Sequence, residues 1–200
     1  NKVVFENELK WPAWQTNRAG WPQNRSNVFA ALDWFKARDI AVRGHVMIWP
    51  SWENVPGWLR QFEVNTNQLR AAIDAHFADQ TSVLKGRLAE WDVINESYAH
   101  NDVIKILGRE EMARWFKLAQ RGDPSVKLFY NDYIMFAGSG PGSPSQYFFD
   151  TVKFLQANGA PISGIGEQGH FGGSPPSPEQ VRAAAPDREP AAGVAEDVEG

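Results

Sequence analysis

The chain has 200 residues, 42% of them hydrophobic, and a formal net charge of -4. That is enough apolar material for one packed domain, and it excludes intrinsic disorder and a basic surface for nucleic acid. Cysteine is absent, which excludes a disulfide framework and a thiol nucleophile, and no apolar run approaches the length of a membrane span.

Short apolar runs alternate with helical patterns, which predicts repeated βα units and a parallel sheet or barrel. Residues 3–5 read as the end of a strand, with no signal-peptide pattern visible before it. Residues 11–25 read as a loop rich in Trp, Pro and Asn. Ser26 is placed to cap a helix carrying Val28, Phe29, Leu32 and Phe35 on one face. Residues 40–49 form the next expected strand. Leu69, Ile73 and Phe77 then recur at helical spacing over residues 67–80. A strand over 88–94 follows, then a helix from Glu110 with Met112, Trp115, Phe116 and Ala119 facing inward. Asp123-Pro124 ends that unit. Residues 126–130 form a strand, and 138–144 a loop. A helix then carries Tyr147, Phe148, Val152 and Leu155 and stops at Asn158-Gly159. Residues 162–166 form a further strand.

Four of these strands end in polar or aromatic groups. One carries His45 and Trp49, the next Asn95 and Glu96, the next Asn131, Asp132 and Tyr133, and the last Gln168 and His170. A barrel delivers its chemistry at the C-terminal ends of its strands. Residues two or four apart on a strand share a face. His45 and Trp49 are therefore expected to point together, as are Asn131 and Tyr133, and Gln168 and His170. Such a mixture lines a polar, aromatic-walled cleft suited to a sugar. Any one of the nine Trp is as readily a core residue, and any one His a satisfied structural one. Their grouping at successive strand ends is the signal.

The sequence resembles glycoside hydrolase family 10, the β-1,4-xylanase family. The resemblance is carried by Phe5-Glu6-Asn7-Glu8-Leu9-Lys10-Trp11, Arg43-Gly44-His45-Val46-Met47-Ile48-Trp49, Trp91-Asp92-Val93-Ile94-Asn95-Glu96, Tyr130-Asn131-Asp132-Tyr133 and Gly164-Ile165-Gly166-Glu167-Gln168-Gly169-His170, in the family's order. It implies an α/β fold, the (β/α)8 TIM barrel, and hydrolysis of internal β-1,4 bonds of xylan with retention. It implies Glu96 as general acid/base and Asn95 as the partner of the sugar 2-hydroxyl. His45, Trp49, Gln168 and His170 would complete the shell around the cleaved sugar. Glu6, Asn7 and Lys10 would bind on the glycone side, with Asn131 and Tyr133 toward the leaving group. The resemblance also implies a polysaccharide partner, no cofactor and no metal, and an extracellular location.

Retention needs a second carboxyl group about 5–5.5 Å from the acid/base. The family's nucleophile segment, Thr-Glu-(Leu or Phe)-Asp after an apolar run, is absent. The nearest candidate is Glu196 in Val194-Ala195-Glu196-Asp197-Val198, with Glu189 and Glu199 weaker. Ser177-Pro178-Glu179-Gln180 starts a helix well, but Pro186 and Pro190 interrupt it, and residues 183–200 form an atypical tail. A whole barrel runs to about 250 residues, so the first and last βα units are expected to be missing or atypical within one catalytic domain spanning 1–200. Pro50 stands where many family members carry a second His. Two other readings are a barrel fragment that holds xylan without cleaving it, and a metal enzyme using Asp92, Glu96 and Asp132. The neutral Asn, Gln, His and Trp groups suit sugar better than a hard cation.

Overall fold

A computed structural model of the chain describes residues 1–16, 25–138, 140–170 and 175–184. These contain five strands: β1 (Lys2–Val4), β2 (Ala41–Gly44), β3 (Glu90–Asn95), β4 (Lys127–Asp132) and β5 (Gly164–Glu167). They pair in sequence order and all in parallel. This is the arrangement of five consecutive strands of a (β/α)8 barrel, and it brings every strand's C-terminal end to one mouth. The candidate nucleophiles Glu189, Glu196 and Glu199 lie outside the described residues.

The helices are α1 (Trp11–Trp14), α2 (Arg25–Lys36), α3 (Thr66–Val83), α4 (Asp102–Leu107), α5 (Glu110–Gly122), α6 (Pro144–Ala157) and α7 (Pro178–Ala184). Asn65 caps α3 by accepting from the Gln68 N–H at 3.1 Å. Leu69, Ile73 and Phe77 then turn into the core, as their spacing predicts. In α5, Met112, Trp115, Phe116 and Ala119 are fully buried. Ser143 caps α6 with Pro144 following, and Phe148 and Leu155 face the core. Ser177 caps α7 reciprocally: its hydroxyl accepts from the Gln180 N–H, and its own N–H donates to Gln180 Oε1.

Three expectations are corrected. The loop expected over 11–25 contains helix α1, whose Trp11 and Trp14 are buried. Trp14 Nε1 donates to Asp79 Oδ2 of α3 at 2.7 Å, so the apolar rings make this segment a packing element. Ser26 does not precede α2 but lies within it, among the helical residues Arg25–Lys36. The strand expected over 40–49 ends at Gly44, leaving only an isolated bridge between Ile48 and Ile94. Gly44 is demanded by the neighbouring strand, since a Cβ there would collide with the Trp91 ring.

His76 of α3 fastens the segment beyond β2. Its ring stacks on Trp11 at 4.0 Å between centroids, and Nε2–H donates to the Met47 carbonyl at 2.8 Å. Burial outweighs that bond and lowers the imidazole pKa to about 3. Between pH about 6.5 and 3 the unfolded chain protonates this group and the folded one does not, so its share of stability is lost as pH falls through that window. That share is about 2 kcal/mol between pH 6.5 and 4.5. His76→Phe should keep the stacking, cost about 1–2 kcal/mol near neutrality for the unpaired carbonyl, and remove this acid slope. Urea unfolding of parent and variant at the two pH values checks it, and parallel losses in both would contradict a neutral buried imidazole.

Candidate active site

Glu96 follows the last residue of β3 and turns off the strand with φ of 52°, a left-handed conformation uncommon for a side-chain-bearing residue. Its N–H donates to the Asn131 carbonyl at 2.9 Å, and its own carbonyl accepts from the His100 N–H at 3.0 Å. The carboxyl group is buried, and its two oxygens have different neighbours. Oε1 accepts from Gln168 Nε2 at 2.7 Å and from Asn95 Nδ2 at 3.2 Å. Oε2 faces His100 Nε2 at 3.4 Å. The Gln168 amide also donates to Asn95 Oδ1 at 3.0 Å, and Asn131 Nδ2 donates to the same oxygen at 2.7 Å. One group from each of β3 and β4, with Gln168 just beyond β5, thus closes around Glu96.

A chain of charges lies beneath this cluster. Lys2 pairs with Glu90 at 2.6 Å. Arg43 pairs with Glu90 at 3.5 Å, and with Asp92 through Nη2 and, at 2.9 Å, through Nε. Asp92 in turn accepts from His45 Nδ1 at 2.9 Å. Glu90, Asp92 and Arg43 alternate onto the interior side of β3 and β2, which is the signal by which sequence could find them. The Arg43 guanidinium also lies over the Phe129 ring at 4.2 Å. Holding His45 by Nδ1–H leaves Nε2 unbonded to Asp92.

The other sequence candidates are placed as follows. Trp49 stands edge-on to His45 at 6.3 Å and to His100 at 5.5 Å between ring centroids, so both rings join the Glu96 neighbourhood. Lys10 Nζ lies 5.5 Å from the Trp49 ring centre and donates to Asn7 Oδ1 at 3.0 Å. Glu6 is exposed on the same loop. Tyr133 is largely exposed, and its hydroxyl pKa is raised by burial and by the Glu96 charge, which puts it beside the cluster. His170 is exposed beyond β5, at the same mouth as His45 because the strands are parallel. Glu196 lies outside the described residues.

The face-sharing expected from strand alternation is corrected in its cause for His45 and Trp49, whose rings do meet, and in its outcome for Asn131 and Tyr133. β2, β4 and β5 end at Gly44, Asp132 and Glu167, so Trp49, Tyr133 and His170 belong to loops where a period of two no longer holds. Gly169, at φ 68°, turns the chain between Gln168 and His170. Asn131 is buried while Tyr133 is exposed. The loops, not the pleat, bring Trp49 and Tyr133 to the cluster.

His100 is the residue that sequence patterns do not flag, since it follows Glu96 in an irregular segment. Asp132 is fully buried; it accepts from the Tyr133 N–H at 2.9 Å and the Tyr130 hydroxyl at 3.1 Å. With Asp92 held by Arg43 and His45, and Asp132 by tyrosine groups, neither carboxylate is free as a metal ligand. Among the described residues no cluster of three or more His, Cys, Asp or Glu could hold a metal ion, and no helix is long and apolar enough to cross a membrane.

The sequence profile described as Glycosyl hydrolase family 10 matches residues 1–188. The chain is 35% identical to endo-1,4-beta-xylanase 3 of Arabidopsis thaliana, over 86% of this chain and 22% of that protein. It is 32% identical to endo-1,4-beta-xylanase 1 of Humicola insolens, over 90% of this chain and 42% of that one. Among solved structures it matches a Thermobacillus composti GH10 xylanase with a TM-score of 0.76 and 31% identity, over 93% of this chain and 55% of that chain. Native xylanase 10B from Thermotoga maritima matches with a TM-score of 0.75 and 28% identity, over 85% and 52%. The chain therefore spans well under half the length of these two relatives and about half of these structures.

Burial, reinforced by the nearby Glu96 charge, raises the Asp132 pKa to about 6. Between pH about 4 and 6 the folded state holds a proton that the unfolded state has released, so stability from this group falls as pH rises through that window. The carboxylate then costs about 3 kcal/mol near neutrality relative to acid. Asp132→Asn should therefore gain stability against the parent at pH 7 compared with pH 4, measured by denaturant unfolding. A difference that stays constant with pH would contradict this environment for Asp132.

Proposed function

The chain belongs to glycosyl hydrolase family 10, and from that membership we propose that residues 1–200 form one catalytic domain of an endo-β-1,4-xylanase acting with retention. The carrying observation is the asymmetry of the Glu96 carboxyl. Two side-chain amides hold Oε1, and Oε2 is met only by the His100 ring, at 3.4 Å, among the described residues. A carboxyl held that way can keep one oxygen for the proton that the leaving sugar requires.

In this reading Glu96 Oε2–H protonates the glycosidic oxygen while a second carboxylate attacks the anomeric carbon. The C–O bond breaks, the shortened chain departs as an alcohol, and Glu96 is left as carboxylate. Water then attacks the glycosyl ester, Glu96 takes its proton, and the nucleophile is released. Glu196 is our candidate for that nucleophile. Asn95 serves the 2-hydroxyl, where hydrogen bonds strengthen in the transition state. His45, Trp49, Gln168 and His170 surround the cleaved residue. Glu6, Asn7 and Lys10 bind the glycone, and Asn131 and Tyr133 face the leaving group. No step calls for a cofactor. A polymeric substrate too large to enter a cell assigns the enzyme to the extracellular space.

Glu96→Gln keeps the shape but has no proton to donate. The turnover of xylan should fall about 10²- to 10⁴-fold with sugar binding retained. An aryl xyloside with a good leaving group should lose less in its first step. Reducing-sugar release by the whole chain, beside calorimetric binding of xylo-oligosaccharide, measures both. Near-parental hydrolysis by Glu96→Gln would sink the assignment of the acid. Binding without cleavage by the parent would replace the enzyme with a xylan-holding barrel. Activity that survives Glu196→Ala would remove Glu196 as nucleophile.

A further inference from the structure

Among the described residues, three Trp, Tyr or Phe side chains are exposed: Trp34, Tyr98 and Tyr133. Trp34 lies on α2, with the Arg38 guanidinium over its ring at 3.8 Å. The other two stand at the mouth. Tyr133 follows β4, and Tyr98 comes two residues after Glu96. Burial, then the charges of Glu96, Asp132 and Tyr98, raise the Tyr133 hydroxyl pKa. The two tyrosines and Glu96 therefore share one patch of the mouth.

Tyr98 is held at both its backbone and its ring. Its N–H hydrogen-bonds the Asp132 carboxylate, which also accepts from the Tyr133 N–H at 2.9 Å. Its carbonyl accepts from Asn101 Nδ2 at 2.8 Å. Its ring meets the Tyr147 ring edge-on, with 5.2 Å between centroids and 64° between planes. Tyr147 is fixed in turn, since its hydroxyl donates to the Ser97 carbonyl at 3.1 Å. One buried carboxylate thus ties both exposed tyrosines to the end of β4. Tyr98 nevertheless remains 39% exposed. A ring ordered along one edge and open elsewhere has little rotamer freedom left to lose, so it can take up a flat apolar partner at small entropic cost.

The strand order assigns this pair to one flank of Glu96. Asn7 and Lys10 follow β1 and Trp49 follows β2, all on one side of β3. Tyr133 follows β4, and Tyr147 belongs to α6, the helix after β4, on the other side. Tyr98 packs on Tyr147 and so belongs to the β4 flank, away from Lys10 and Trp49. On the reading that the chain is a xylanase, we propose that Tyr98 is a further substrate-binding residue: with Tyr133 it forms a two-ring platform for the xylosyl units of the departing chain. A xylosyl ring offers a face of C–H groups to an aromatic ring, and hydroxyls at its rim to the tyrosine hydroxyls. The platform holds the leaving chain while the bond breaks and has no hold on the glycone.

Two measurements on the whole chain test this. The first is kcat/KM on xylohexaose and on β-xylobiosyl fluoride, whose leaving group is a single atom and cannot reach the platform. Tyr98→Ala should lose about 10-fold on xylohexaose and little on the fluoride. Tyr98→Phe, which restores the ring, should recover most of the loss. Unchanged xylohexaose turnover in Tyr98→Ala, or no recovery with Phe, would overturn the proposal. Equal losses on both substrates would also overturn it and make Tyr98 a packing partner of Tyr147. The second is calorimetric binding of xylohexaose in the Glu96→Gln background, with and without Tyr98→Ala. Binding weakened about 10-fold by Tyr98→Ala is expected, and equal affinities would overturn the platform. A parent that cleaves neither substrate would contradict the xylanase reading instead, and the binding comparison would still decide Tyr98.

Discussion

A single amide nitrogen, Gln168 Nε2, spans from beyond β5 to both Asn95 and Glu96 at the end of β3, across the intervening β4. Its two acceptors fix the relative height of three strands at the mouth. Asn131 of β4 completes the set by donating to the same Asn95 oxygen. This geometry needs space as well as bonds. A Cβ at Gly166 would collide with Asn131 Oδ1 and with the Arg43 guanidinium. The absence of a side chain there lets an amide from one strand and an arginine from another share the barrel interior. Buried polar networks of this kind are stabilising only when every member is satisfied, so the cluster tolerates little change.

The ion pairs beneath do for His45 what the amides do for Glu96. Asp92 sits between Arg43 and His45, and Arg43 reaches back to Glu90, which Lys2 covers from the edge. Breaking a buried pair by removing one partner costs about 3–5 kcal/mol because the other charge is stranded. The cleft floor is therefore charged but locked, while the groups facing the cleft are amides, imidazoles and aromatic rings. Around Glu96 such a surface offers neutral hydrogen-bonding groups, with the Lys10 charge set over the Trp49 ring. The Glu96 carboxyl stands out in this setting because its two oxygens are differently occupied.

Much of this was legible in the sequence. The inward faces of α3, α5 and α6 follow from the spacing of Leu69, Ile73 and Phe77, of Met112, Trp115 and Phe116, and of Phe148 and Leu155. The order of the strands followed from the alternation of elements. The cluster itself was legible through Asn95, Glu96, Asn131 and Gln168, which end or directly follow strands. What alternation could not give is the path of the chain once a strand stops. Trp49, Tyr133 and His170 lie past those points, where loop contacts and positive φ at Gly169 set direction. Helix α1 was hidden because its rings pack as core residues although Pro12 and its short length read as loop. His100 was hidden because it follows Glu96 in an irregular segment, where no strand or helix period applies.

The central claim is that Glu96 supplies and recovers the proton in a retaining hydrolysis. In Glu96→Ala, the covalent glycosyl intermediate would form from an aryl xyloside with a good leaving group but would lack a base to activate water. Azide is an anionic nucleophile that needs no base. Added azide should therefore restore turnover, and the product should be the β-xylosyl azide, because two displacements at the anomeric carbon preserve its configuration. Turnover that azide leaves unchanged, or an α-azide product, would contradict the claim. The α product would assign Glu96 to the nucleophile's place.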